Sequence, residues 1–325
     1  MNFKDFYTSK NDYDRRLDKV IRKFLNEKSL SNIYKSIRKG TIKVNSKKTS
    51  ENYKIQENDI INIADFLLNG DNKISEEKIK TEENQISQDF PKIVFENENI
   101  LILDKPYDVL VHGSENSLEK LVKSYYKNNK NDNSLSFLPG PLHRLDRKTT
   151  GLISFSMSLE GARWFSENIK NHSIKKYYAT VVLGKLEKTE FWKDFIEKDN
   201  EAKNNFKTVK ISNVKNENTK EAKTIISPIA YGKFEKKDVT LVKLEIQTGR
   251  THQIRSQCNL HSHPILGDFS YGKTKLSGYN QDFFLQAYCL KIPENPIGLP
   301  SKIQISLNSE FIKFLNDCGI KNYGL

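Results

Sequence analysis

A polar segment over residues 64–92 divides the chain into a short basic part and a long remainder. The segment carries a net charge of −3 and little apolar periodicity after Leu68, which is typical of a solvated linker. A chain of 325 residues has room for about two domains. We therefore expect a small domain over residues 14–63, this linker over residues 64–92, and a larger domain over residues 93–325.

The overall charge indicates a polyanionic partner. The chain holds 53 Lys and Arg against 41 Asp and Glu, a formal net charge of +12 at pH 7, and so basic a chain most often binds nucleic acid. No apolar run approaches the roughly 18 residues of a membrane span, and the N-terminal MNFKDFYTSKND has no apolar signal region. Three widely spaced cysteines favour reduced thiols. We expect a cytoplasmic protein that does not associate with membranes.

Residues 14–48 concentrate the positive charge, with a net charge of +9. Apolar residues from Leu17 to Leu25 recur at helical spacing, and a second helix is expected between an N-cap at Ser31 and a stop at Gly40, before two short strands. Because the bases continue over both helices and the following turn, they favour a phosphate-binding face over an ordinary solvated surface. The predicted RNA-binding residues are Arg15, Arg16, Lys35, Arg38, Lys39, Lys43, Lys47 and Lys48.

Beyond the linker, strands and helices alternate without a regular βαβ period. Helices are predicted over residues 118–126, 161–170 and 251–260, among short strands rich in Val, Ile and Tyr. The sequence has neither a GxGxxG nor a GxxxxGK[ST] loop, so we expect no nucleotide cofactor. This pattern favours an α+β fold in which the larger domain has a mixed, largely antiparallel sheet with a cleft.

The segment PGPLHRLDRKTTG, residues 139–151, holds one carboxylate, Asp146, among several cations. Surrounding positive charge favours the ionised carboxylate, and a positioned carboxylate can act as a nucleophile, a general base or a cation ligand. An Arg–Asp ion pair that only pins the loop is the alternative. The residues alone leave both roles open.

Two further segments carry side chains suited to a binding site. In QTGRTHQIRSQ, Thr251 is expected to cap a helix whose first turn holds Arg255, and such a helix N-terminus suits an anion, either a phosphate or Asp146. In KKYYATVVLG, Tyr177 faces one side of a predicted strand and Tyr178 the other. An aromatic residue in a strand most often packs into a core, so this segment alone does not establish a site.

The run Cys258, His261 and His263 is a candidate metal site by composition. No fourth ligand is spaced to complete a tetrahedral centre, so we expect structural histidines and no metal. The sequence also lacks a GxSxG nucleophile elbow, which leaves a hydrolase of that type unsupported.

The motifs HRLDRKTTG and TGRTHQIRSQCNLHSHPILGDFSYG resemble those of the RluA/RluC/RluD family of pseudouridine synthases, and the resemblance covers about residues 93–310. Over residues 14–63, RRLDKVIRKFL and SNIYKSIRKGTIKVNSKK resemble the small RNA-binding domain named after ribosomal protein S-four. The sequence of this segment is most similar to the RluC branch of the family. The resemblance implies isomerisation of specific uridines in large-subunit (23S-type) ribosomal RNA to pseudouridine, without a cofactor.

The resemblance also implies roles for four residues. Asp146 would be the catalytic residue, and Arg255 would pair with it. Tyr177, read as the tyrosine of a K-x-Y-x-A motif, would line the base pocket, and Arg144 would help to hold the place of the flipped nucleotide in the RNA. We expect a monomer. The same chemistry on tRNA or another RNA, and a non-enzymatic RNA-binding assembly factor, are the alternatives.

Overall fold

The chain forms two units in a computed structural model. The structure describes residues 1–26, 28–68, 90–129, 134–198, 209–321 and 324–325. The first unit comprises residues 1–90, 119–140 and 156–162, and the second comprises residues 91–118, 141–155 and 163–325. Most of the predicted linker, residues 69–89, lies outside the described residues. No helix in the described part of the chain is long and apolar enough to cross a membrane.

The first unit is built around a small sheet in which β3 Ile60–Ala64 lies between β1 Phe3–Tyr7 and β2 Ile42–Val44. The apolar stripe of its first helix and the inner face of this sheet form one core, which confirms the predicted succession of two helices and two strands. The N-terminal strand, which pairs antiparallel with β3, was not predicted. The helices are α1 Leu17–Phe24, α2 Leu30–Lys39, α3 Asp65–Leu68 and α4 Leu118–Asn129, whose first residue belongs to the second unit.

Helix α2 begins two residues earlier than predicted. The side chain of Ser29 accepts a hydrogen bond from the backbone N–H of Asn32 at 3.3 Å, so the prediction of Ser31 as the N-cap is wrong. Gly40 ends the helix at φ +74°, the left-handed conformation that glycine adopts without a steric penalty, as predicted.

The buried carboxylate of Asp12 ties residues 134–136 to the N-terminal part of the first unit. Asp12 is fully buried and accepts hydrogen bonds from the hydroxyls of Ser134 and Ser136 and from the backbone N–H of Leu135. The side chain of Leu135 also packs against the core of this unit. The predicted small domain is therefore part of a larger unit.

The second unit contains one sheet of ten strands among the described residues. The strands are β4 Ile93–Glu96, β5 Ile100–Lys105, β6 Thr150–Ser156, β7 Lys175–Leu183, β8 Glu190–Lys198, β9 Val209–Ser212, β10 Lys220–Phe234, β11 Lys237–Ile246, β12 Leu285–Lys291 and β13 Lys302–Gln304. Their order in the sheet is β4-β5-β6-β12-β7-β11-β10-β8-β9, with β13 beside β12. Strands β6 and β12 run parallel, whereas β7 to β11 and β13 pair antiparallel, so the predicted mixed, largely antiparallel sheet is confirmed. The helices are α5 Leu159–Lys170, whose first residues belong to the first unit, α6 Gln253–Leu260, α7 Phe269–Gly272 and α8 Ser309–Asp317.

Strand β7 separates two faces of the central sheet. Ala179 and Val181 pack on one face with the aromatic side chains of α8, including Phe311 and Phe314. Because side chains alternate along a strand, Tyr178 points to the opposite face. That face carries the predicted site.

Candidate active site

The loop that carries Asp146 is fixed where it enters β6. The backbone N–H of Thr149 donates to the carbonyl of Asp146 at 3.0 Å and closes a turn. Gly151 follows at φ +100°, and a side chain there would collide with the carbonyl of Ala287 on the parallel neighbour β12. This close approach holds the end of the loop at the centre of the sheet, and the Asp146 side chain remains 20% exposed.

Asp146 lies among groups whose protonation depends on burial. Lys105 is fully buried, and its ammonium group donates to the carbonyls of Pro106 and Arg147. Burial lowers the pKa of Lys105 to about 7, although the nearby charge of Asp146 opposes that shift. Burial raises the pKa of Tyr178, and the charge of Asp146 raises it further, so the Tyr178 hydroxyl stays protonated.

A small cavity opens beside Asp146. The polar side chains in its lining include Arg144, Asp146, Tyr178, Arg250, Gln253 and Arg255. Its volume is about 50 Å³, and it is open to solvent. Asp146 is the one carboxylate in the described lining. The sequence-predicted Arg144, Asp146 and Arg255 are thus brought together.

Tyr178, not Tyr177, lines this cavity, so the predicted placement of Tyr177 is wrong. Tyr177 packs against the core on the other face, where burial and a hydrogen bond to Glu245 raise its pKa to about 12. The K-x-Y spacing can also be read one residue later, with Lys176 and Tyr178, and Thr180 in place of alanine. A shift of one residue moves a side chain to the opposite face of a strand.

Arg255 forms its ion pair with Asp268, which sequence analysis missed. Its Nε and Nη2 atoms donate to the two Asp268 oxygens at 2.6 and 2.8 Å, and both side chains are buried. The guanidinium lies 4.8 Å from the ring centroid of Phe283. No ion pair joins Arg255 to Asp146 among the described residues, so the predicted direct pair is wrong. Asp268 belongs to the HPILGD run, but nothing in the spacing indicated its partner.

Helix α6 begins at Gln253, so the prediction of Thr251 as its cap is wrong. The side-chain oxygen of Gln253 accepts from the Arg250 backbone N–H and from the Thr248 hydroxyl. His252 is the N-cap residue, with φ +52° and no side-chain cap. Its Nε2 atom lies 4.0 Å from Asp146 Oδ2, and burial lowers the pKa of His252, which favours a neutral imidazole.

The cations around Asp146 have different partners. Arg147 pairs with Asp108 at 2.9 Å, and Lys148 pairs with Asp282. Arg144 is exposed and has no ion-pair partner in the described part of the chain. An arginine–aspartate pair does hold this loop, but it uses Arg147 and leaves Asp146 available.

The predicted RNA-binding residues of the first unit fall into two groups. Arg15 donates to Ser136, Arg16 pairs with Asp18 at 2.9 Å, and the Lys43 ammonium lies 4.5 Å from the Phe3 ring centroid. The others are exposed on α2 and the turn after β2: Lys35, Arg38, Lys39, Lys47 and Lys48. RNA contact by any of these residues stays a prediction.

The residues of the C-x-x-H-x-H run have separate protein environments. Burial raises the pKa of the Cys258 thiol. His261 contacts Asp194 at 3.0 Å and stacks on Trp192, and His263 Nδ1 lies 3.1 Å from the carbonyl oxygen of Leu183. Among the residues that the structure describes, no group of three or more His, Cys, Asp or Glu could hold a metal ion.

Comparisons with known proteins point to the same family as the sequence motifs do. The family model for RNA pseudouridylate synthase matches residues 99–260, and the S4 domain model matches residues 15–61. The chain is 32% identical, over 83% of its length and 85% of the relative's, to an uncharacterized RNA pseudouridine synthase of Mycoplasma capricolum. It is 26% identical, over 92% of its length and 91% of the relative's, to ribosomal large subunit pseudouridine synthase C of Vibrio vulnificus.

Two further similarities extend this comparison. A mitochondrial tRNA pseudouridine(32) synthase of Saccharomyces cerevisiae is 28% identical over 72% of this chain and 48% of its own length. The solved structure of human RNA pseudouridylate synthase domain containing 4 superposes with a TM-score of 0.57 at 19% identity, over 71% of this chain and 94% of that one. The structural likeness shows a shared fold.

Proposed function

The chain belongs to the family of RNA pseudouridine synthases, and we propose that it isomerises uridines in large-subunit ribosomal RNA with Asp146 as its catalytic residue. The observation that carries the proposal is that Asp146 is the one carboxylate in the described lining of its cavity. Relatives named ribosomal large subunit pseudouridine synthase C cover nearly the whole chain, which favours ribosomal RNA. The yeast relative makes tRNA the second candidate.

The reaction rearranges bonds within one nucleotide. The N1–C1′ bond breaks, the uracil rotates, C5 bonds to C1′, C5 loses its proton and N1 gains one, so atoms and electrons balance without a redox partner. Asp146 would attack the sugar or the base, or remove the C2′ proton. Each role needs an ionised carboxylate beside the sugar–base junction.

The neighbours of Asp146 supply what this chemistry requires. The protonated Tyr178 can pack its ring against the uracil and donate a hydrogen bond to it. Arg255, held in place by Asp268, provides a fixed positive charge close to Asp146. Lys105 anchors the carbonyl of Arg147, next to Asp146 in the chain, and so limits movement of the loop.

The target uridine must leave its base stack to reach Asp146. Flipping a base costs a few kcal/mol, and contacts between cations and RNA phosphates offset that cost. The exposed Arg144 at the cavity and the exposed lysines and arginines of the first unit are suited to these contacts.

Mapping of pseudouridines in ribosomal RNA and tRNA tests the proposed substrate. RNA from cells that lack the gene should have lost pseudouridine at one or more large-subunit positions, and the wild-type gene should restore it. A gene that encodes Asp146→Asn should restore none. A loss of pseudouridine confined to tRNA would mean that tRNA, and not ribosomal RNA, is the substrate.

A pair of hydroxyl deletions tests the assignment of Tyr178. We expect Tyr178→Phe to lower single-turnover rates at saturating RNA by on the order of 10²-fold. This is the lower end of the rate enhancement that a positioned proton donor contributes. Tyr177→Phe removes the same atom from the next residue, on the face that packs against the core, and should leave the rate almost unchanged. A larger loss in Tyr177→Phe would reverse the assignment.

Charge removal on α2 tests the role of the first unit. Removal of the whole domain is a poor test, because Leu135 and Ser136 depend on it for packing and hydrogen bonds. The triple variant Lys35→Ala, Arg38→Ala, Lys39→Ala should weaken RNA affinity and flatten its salt dependence, with little change in the single-turnover rate at saturating RNA. Unchanged affinity would exclude this face from binding.

A further inference from the structure

A second cavity adjoins the one that contains Asp146. Its volume is about 650 Å³, within the range of about 300–1,000 Å³ that small-molecule sites occupy. The two cavities share Arg144, Gly249 and Arg250 as lining residues. A ligand in the second cavity would therefore lie next to a group bound at Asp146.

The lining of the second cavity combines an apolar part with a cationic part. Ile196 on β8 and Val209 on β9, whose side chains are otherwise buried in a small apolar core, contribute its apolar edge. Lys220 at the start of β10 joins the two shared arginines, and Glu197 is the one acid in the described lining. An apolar surface beside an excess of positive charge suits a nucleobase with its phosphate.

Lys220, like Arg144, is a lining cation whose charge is available to a ligand. Its side chain is exposed, and no ion pair or hydrogen bond engages it within the described residues. The Nε atom of Arg250, by contrast, donates to the carbonyl of Glu221 at 2.9 Å. The amide of Asn218 also lines this cavity and can exchange hydrogen bonds with a base edge.

We propose that this second cavity binds the nucleotide next to the target uridine, with the phosphate at Lys220 and the base against Ile196 and Val209. The inference rests on the proposed function, since it requires an RNA strand whose uridine enters the cavity of Asp146. On this proposal, strands β8 and β9 and the start of β10 contribute to the selection of the uridines that react.

Neutralisation of single phosphates tests this site. Asp146→Asn protein is expected to bind RNA without turnover, so affinity can be measured for a short RNA and for versions with one methylphosphonate at each position around the uridine. Lys220→Ala in this background should weaken binding of the native RNA on the order of tenfold, the loss of one charged hydrogen bond. At one position next to the uridine, the methylphosphonate and Lys220→Ala should not weaken binding additively.

Lys237→Ala is the matched control. Lys237 is an exposed lysine at the start of β11, opposite Phe234 at the far end of β10, and its loss changes the net charge by the same amount. It should show additive effects at every phosphate. Additive effects for Lys220→Ala at every phosphate, or an affinity equal to that of the Lys237 control, would overturn the subsite.

The subsite and the proposed function fail separately. If both Asp146→Asn and Asp146→Ala form pseudouridine, the catalytic assignment fails, whatever Lys220 does. If Asp146→Asn is inactive and Lys220→Ala binds every RNA as the control does, the subsite alone fails. The companion variant Asn218→Ala should reduce discrimination among bases at the position that couples to Lys220, and unchanged discrimination would exclude base recognition there.

Discussion

Asp146→Asn is expected to abolish pseudouridine formation while RNA affinity stays close to that of the wild type. The substitution preserves side-chain volume and removes only the charge and basicity of the carboxylate. Since no other carboxylate lines the cavity among the described residues, no neighbour can take over its role. We expect single-turnover rates at saturating RNA to fall by about 10⁴-fold or more, the upper end of what a positioned acid–base group contributes.

Two companion variants make this measurement decisive. Asp146→Ala cannot revert to aspartate by deamidation and should be equally inactive. Asp282→Asn is the control: it removes an exposed carboxylate of the same unit, which pairs with Lys148. This variant should retain nearly full activity. Product formed above background by both Asp146 variants would exclude Asp146 as the catalytic group.

Much of the fold was predictable because the relevant signals are local. The apolar spacing from Leu17 to Leu25 and the stop at Gly40 need only neighbouring residues, and the structure confirms both. The first strand was missed because it depends on tertiary pairing with β3, whereas the cap at Ser29 is a local hydrogen bond to Asn32 that the prediction placed two residues too late. Ser31 offers the same hydroxyl as Ser29, and the composition of the segment does not distinguish them.

The candidate site shows where local reading fails. Tyr177 and Tyr178 are adjacent and identical in type, so only the packing of α8 against one face of β7 decides which of them lines the cavity. The partner of Arg255 was predicted wrongly, because the resemblance implied a pair with Asp146 and nothing in the sequence spacing indicated Asp268. Long-range geometry, which a motif does not encode, selects Asp268.

Asp268→Ala is expected to be strongly destabilising, because it leaves a buried guanidinium without its carboxylate. Breaking a buried ion pair in this way costs about 3–5 kcal/mol of unfolding free energy. Asp268 also accepts from the backbone N–H of Ser270 at 3.2 Å, so its loss weakens the short helix α7. Urea unfolding followed by tryptophan fluorescence measures this effect in the correct unit, since Trp164 and Trp192, the two tryptophans of the chain, belong to the second unit.

Comparison with two other variants separates stability from activity. Asp282→Ala removes the exposed partner of Lys148 and should cost about 1 kcal/mol or less. The double variant Arg255→Met, Asp268→Leu replaces the buried pair by apolar side chains, which often restores stability, but it also removes the positive charge near Asp146. We expect it to unfold at a urea concentration closer to that of the wild type than Asp268→Ala does, and to remain nearly inactive. Recovery of activity with stability would mean that Arg255 only maintains the fold.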